Sequence, residues 1–151
     1  MSVRTVARAA MIAALYVVLT LAFAPYSYGP IQVRVSEALT VLPIFFPEAI
    51  PGLFIGCLVA NALGGLGLWD IFGGSLVTLL AAIGTYLLRR SWLAFAVPVL
   101  ANAFLVSAYL APIFHVPYWA TVLYVGLGEA IAVGAFGVPL AIVLRKRLGK
   151  K

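Results

Sequence analysis

Long apolar runs, punctuated by short clusters of proline, glycine and charge, set the pattern of this chain. The first run covers 5–24, with Arg8 as its one charge. At about 1.5 Å per residue, a helix of that length matches the ~30 Å hydrocarbon core of a bilayer. Pro25-Tyr-Ser-Tyr-Gly-Pro30 then breaks the run into a loop. A second helix is predicted over 35–46, too short to cross upright. Pro47-Glu48-Ala-Ile-Pro51 makes the turn, and Pro51 suits the first turn of a third span over 49–63. Gly64-Gly65-Leu66-Gly67 ends that span. A fourth covers 69–88 and closes on Arg89-Arg90, and a fifth covers 92–111. Pro112–Pro117 forms the next loop, and a long sixth span over 118–145 runs into a basic tail. The pattern predicts an all-α integral membrane protein, a six-transmembrane-helix bundle forming one domain over 1–151.

Ala22-Phe23-Ala24 has the small-x-small form of a leader cleavage site. The preceding run is long enough to span, and spans continue after it, so it is read as a retained helix.

Composition agrees with a membrane domain. The chain is 65% hydrophobic and 9% charged, with a mean hydropathy of +1.16, whereas a soluble domain carries about 25% charged residues. The net charge is +6, but it is segregated. Nine of the ten basic residues lie at Arg4 and Arg8, at Arg89-Arg90, or in the tail Arg145-Lys146-Arg147…Lys150-Lys151. Such clusters set orientation in a bilayer and do not make a nucleic-acid surface. Six spans put all nine on one side, which the positive-inside rule makes the cytoplasm, so both termini are expected there. Merging the second and third segments into one span would put either the N-terminal arginines or the tail outside. Cys57 is alone and His115 is the single histidine, which argues against a disulfide framework and against a metal site, and no cofactor is expected. No Gly-x-x-x-x-Gly-Lys-Ser/Thr motif is present, so nucleotide hydrolysis by this chain alone is not expected.

Against this apolar background, the few polar residues are the candidates for function. Arg34 and Glu37 are three apart, on one face if the segment is helical, and either steady a helix start or line a pocket. Glu129 lies inside the sixth span and needs a partner: Arg34, a polar side chain or a cationic ligand. Asp70 follows Trp69 near the outer end of the fourth span and is a cap or a ligand contact. Glu48 complements a helix dipole at a cytoplasmic turn. Asn61 and Asn102 bridge helices or read the donor and acceptor edge of a heterocycle. The outer loops are rich in aromatics (Tyr26, Tyr28, Trp69, Phe114, Tyr118 and Trp119), which an interfacial belt also explains. His115 is expected to be a solvated loop residue. Small residues recur at helical spacing. Gly52, Gly56, Ala60 and Gly64 in the third span and Gly126, Ala130 and Gly134 in the sixth are expected to pack internally. The pairs Ala9/Ala13 and Ala10/Ala14, near the cytoplasmic end of the first span, are candidates for docking a partner subunit. Polarity gathers in the outer half, the layout of a subunit that captures a small polar solute.

The stretch Val33-Arg-Val-Ser-Glu-Ala-Leu-Thr-Val-Leu-Pro43, the run Pro51 to Asn61, Trp69-Asp70 and Gly73-Gly74-Ser75-Leu76 resemble the QueT family of S-components, the substrate-binding membrane subunits of energy-coupling-factor (ECF) transporters. The likeness covers nearly the whole chain. It implies a six-helix bundle in a prokaryotic plasma membrane, an outward-facing pocket, a transmembrane T-component and two ATPase subunits as partners, and docking through an Ala-x-x-x-Ala motif. The implied ligand is a queuosine precursor such as aminomethyl-deazaguanine, or the base queuine. On that reading Glu37 and Glu129 are the ligand carboxylates, Asn61 and Asn102 the amide readers, Arg34 and Asp70 further pocket residues, and Trp69 or Tyr124 the stacking wall. Alternatives are an S-component for another vitamin or nucleobase, and a small oligomeric channel or exporter. A channel would carry a polar stripe along a whole span, which is not seen. A membrane enzyme using Glu129 with His115 is a poorer fit, because His115 lies in a loop.

Overall fold

The computed structural model describes residues 2–29 and 32–149. Pro30, at the end of the first predicted loop, and the terminal Lys150 and Lys151 lie outside the described residues. Among those described, every regular element is helical. Helix α1 runs Val3–Ala22, and Ser2 caps it by accepting a hydrogen bond from the Thr5 N–H. A one-turn helix, Ala24–Ser27, follows where a loop was expected. It tolerates Pro25 because a first-turn residue needs no N–H donor.

The second segment, Val35–Ile44, is a 3-10 helix. At roughly 2.0 Å per residue this winding makes the segment longer than an α-helix of the same residues would be. Helix α2 runs Ala49–Gly64 and stops at Gly65, whose φ of 75° needs a residue without a side chain. Helix α3 runs Trp69–Leu87, α4 Leu93–Phe114 and α5 Tyr118–Leu148. Pro112 lies inside α4, which ends instead at His115 in the left-handed conformation (φ 54°). The loop expected from Pro112 is therefore shorter. By length and composition, α1, α3, α4 and α5 can each cross a membrane, and the 3-10 helix and α2 are shorter apolar helices.

Close approach of small residues sets the packing. A side chain at Gly52 would come within 2.7 Å of the Ala9 carbonyl, and one at Gly56 within 2.9 Å of the Ala13 carbonyl. Helices α1 and α2 therefore lie parallel, with Ala9 and Ala13 facing α2. In α5 only the first member of the expected internal stripe packs inward, Gly126 against the Ala103 Cβ. Ala130 and Gly134 are exposed. Gly128 and Gly137 instead take the contacts, with the Gln32 carbonyl and with Val41 and Ala38 respectively. The stripe was misplaced because those glycines depart from regular four-residue spacing, and a π-helical turn over Ala132–Gly137 rotates the helix between them.

One end of the bundle collects the basic residues. Arg8 and Glu48 pair at 2.9 Å, joining the starts of α1 and α2. Leu144 near the end of α5 packs against the cluster of Leu42, Ala49 and Leu53, and Phe95 near the start of α4 packs with Phe45 and Ala141. Glu48 thus has an ionic partner as well as its place at a helix N-terminus.

Candidate functional site

The half of the bundle away from the basic end encloses a cluster of polar side chains. They come from six helices. Tyr16 is on α1, Glu37 on the 3-10 helix, Cys57 and Asn61 on α2, Asp70 and Thr78 on α3, Asn102 on α4 and Glu129 on α5; all are buried. Asp70 lies in a π-helical turn over Trp69–Gly74, and Asn102 opens another over Asn102–Val106. These widened turns carry polar groups toward the bundle axis, and π turns of this kind recur at functional sites.

Glu37 is held by three neutral donors. The Tyr16 hydroxyl donates to its Oε1, Thr78 approaches the same oxygen at 3.5 Å, and the Asn102 amide reaches Oε2 at 3.5 Å. Thr20, one turn beyond Tyr16, donates to the Ser36 hydroxyl at 2.7 Å and ties α1 to the start of the 3-10 helix. A buried carboxylate without such donors would be very costly.

Arg34 does not turn to Glu37. It occupies the extended residue before the 3-10 helix (φ −88°, ψ 97°), so it leaves the face that helical spacing assigned to it. Its Nη2 meets Asp70 Oδ1 at 3.5 Å, its Nε donates to the Ser27 carbonyl at 3.3 Å, and the guanidinium lies 5.7 Å from the centre of the Tyr28 ring. Asp70 Oδ1 also accepts from the Tyr109 hydroxyl at 2.9 Å, and the Asp70 carbonyl accepts from the Asn61 amide at 2.7 Å. Asn61 and Thr78 both approach the Cys57 sulfur, at 3.5 and 3.4 Å. Cys57 therefore sits between the Glu37 group and the Arg34–Asp70 group.

Glu129 follows Gly128, against which the Gln32 carbonyl is pressed. Its electrostatic neighbours are Glu37, Arg34 and the Asn102 amide. Several buried polar atoms of the region make no hydrogen bond: Glu129 Oε2, Asp70 Oδ2, Asn61 Oδ1, Gln32 Nε2 and Ser107 Oγ. Buried polar groups are normally satisfied, so these atoms mark the region as the candidate site.

Of the residues singled out from sequence, Arg34, Glu37, Asn61, Asp70, Asn102 and Glu129 come together. Trp69 and Tyr124 do not: they are 74% and 39% exposed. Trp69 instead borders a surface groove of about 460 Å³ shared with Ala108, Tyr109, Pro112 and Ile113. The Tyr109 hydroxyl links that groove to Asp70. Ala9 and Ala13 face α2, whereas Ala10 and Ala14 are exposed. Sequence reasoning missed Tyr16, Cys57, Thr78 and Tyr109. Tyr16 and Thr20 offered a signal, as two hydroxyls four apart on one face of an otherwise aliphatic helix.

A cluster of buried polar and ionisable side chains in an apolar helical bundle is a candidate solute site. The model of the QueT transporter family matches residues 6–146. This chain belongs to the QueT transporter family. It is also 30% identical over 159 residues to a queuosine precursor transporter, QueT, of Lactococcus lactis subsp. cremoris (strain MG1363), an alignment covering 94% of this chain and 90% of that one. No solved structure matches it. QueT membership and several long apolar helices make the chain a multi-pass membrane protein, and every residue of the polar cluster lies within the matched residues.

Proposed function

We propose that this chain is the substrate-capturing membrane subunit of an ATP-driven ECF-type importer, and that it takes up a queuosine precursor, a deazaguanine-type base, from outside the cell. The unsatisfied buried cluster carries this reading. Its free atoms are mainly acceptors, and a guanine-like edge presents adjacent N–H donors together with a carbonyl. Asp70 Oδ2 and Asn61 Oδ1 would accept those donors, and the free Gln32 amide would address the carbonyl. The named activity of the Lactococcus relative supports the choice of ligand. The basic end faces the cytoplasm under the positive-inside rule, with both termini there. The 3-10 helix and α2 then complete six crossings and leave the cluster in the outer half. Energy would come from a T-component and two ATPase subunits, docked on the exposed Ala10/Ala14 face of α1.

Thermal-shift and calorimetric titration of the purified protein against queuine, aminomethyl-deazaguanine, thiamine, riboflavin and biotin tests the ligand class. Stabilisation by the deazaguanines alone is expected. Stabilisation by another vitamin instead would assign a different substrate, and uptake that persists without any ATPase partner would remove the ECF mechanism.

A further inference from the structure

The carboxylates of the cluster are not equivalent, and their inventory says what charge the ligand brings. Three of them, Glu37, Asp70 and Glu129, share the buried region with one guanidinium, that of Arg34. Arg34 and Asp70 form the ion pair. Glu37 has both oxygens occupied by the Tyr16, Thr78 and Asn102 donors, so it has little left to offer. Glu129 is 5% exposed, makes no salt bridge among the described residues, and keeps Oε2 without a hydrogen bond. A neutral donor would satisfy that oxygen but not the charge. A cation does both; Glu37 has its charge spread over three hydrogen-bond donors, whereas Glu129 Oε2 has neither a donor nor a pairing charge. An ammonium, with three donors and no acceptor, also suits a cluster whose free atoms are mostly acceptors.

We propose that Glu129 receives a protonated amine of the ligand and makes the site selective for a cationic base over its neutral analogue, while Glu37 acts as scaffold. This rests on the deazaguanine reading above. It reverses the ranking the sequence suggests, in which Arg34 and Glu37 form the prominent pair.

The test is calorimetry with two bases: aminomethyl-deazaguanine, and its methyl analogue, which lacks only the ammonium. Wild-type protein is expected to prefer the amine by about tenfold to a hundredfold, the range of one charge-assisted hydrogen bond. Glu129→Gln is expected to abolish that preference by losing affinity for the amine, while still binding the methyl analogue, which also shows that the variant is folded. Glu37→Gln is expected to weaken both bases alike and to lower the melting temperature. Should Glu129→Gln not fold, Glu129→Asp serves, and its shorter arm is expected to diminish the preference. Equal binding of the two bases by wild type, or a preference that survives at position 129, overturns the inference and leaves the deazaguanine reading standing. Binding of neither base by wild type overturns both.

Discussion

At the scale of single residues, the site is a problem of holding charge inside an apolar protein. Arg34 and Asp70 are both buried, so removing one leaves the other uncompensated. Arg34→Met is expected to cost about 3–5 kcal/mol, and adding Asp70→Asn to return part of it. A double-mutant cycle of thermal unfolding in detergent measures that coupling. Tyr16→Phe removes a donor from Glu37 and is expected to cost about 1–3 kcal/mol, with ligand affinity falling alongside. The charges themselves were legible in the sequence, because any charge stands out in a chain of which 9% is charged. Their partners were not. Glu37 is bound by residues 21, 41 and 65 positions away, and local spacing carries no information about contacts between helices. The expected Arg34–Glu37 relation failed for a local reason: the helix begins one residue after Arg34.

At the scale of elements, hydrophobic length located the helices well, and their winding poorly. The 3-10 helix and the π turns arise from tertiary packing, so a rule of apolar run length sees them only as a short segment or as a misplaced stripe. Glycine reports this packing directly. A Cβ at Gly56 would lie 2.9 Å from both the Ala13 carbonyl and the Tyr16 Cβ, whereas nothing lies within 4 Å of one at Gly134. Gly56→Ala is therefore expected to push α1 away from α2, costing about 1–3 kcal/mol and drawing Tyr16 off Glu37, so that stability and affinity fall together. Gly134→Ala is expected to leave affinity unchanged and to match or slightly exceed wild-type stability, since glycine is disfavoured in helices. Unfolding midpoints and ligand titrations of the two variants side by side check the contrast.

At the scale of the whole molecule, the polar cluster and the basic end lie in opposite halves, and α1 at the edge of the bundle leaves most of its surface exposed. Of the best apolar window of α1, 11% is buried, against 33–44% for α3, α4 and α5. One face of α1 is committed to α2 through Ala9 and Ala13, which leaves Ala10 and Ala14 as the small-residue pair free to meet another helix at close range. If α1 bridges the bundle to a T-component, bulk at those positions blocks energy coupling without reaching the polar cluster in the other half of the molecule. Ala10→Trp with Ala14→Trp is expected to bind ligand like wild type when purified, yet to lose most uptake in cells expressing the partner subunits and to fail to co-purify with them. The matching change at Ala9 and Ala13 is expected to behave differently: bulk there meets the α2 backbone, so folding and binding fail together. Transport by the Ala10/Ala14 variant at wild-type rate would show that coupling runs through another face of the bundle.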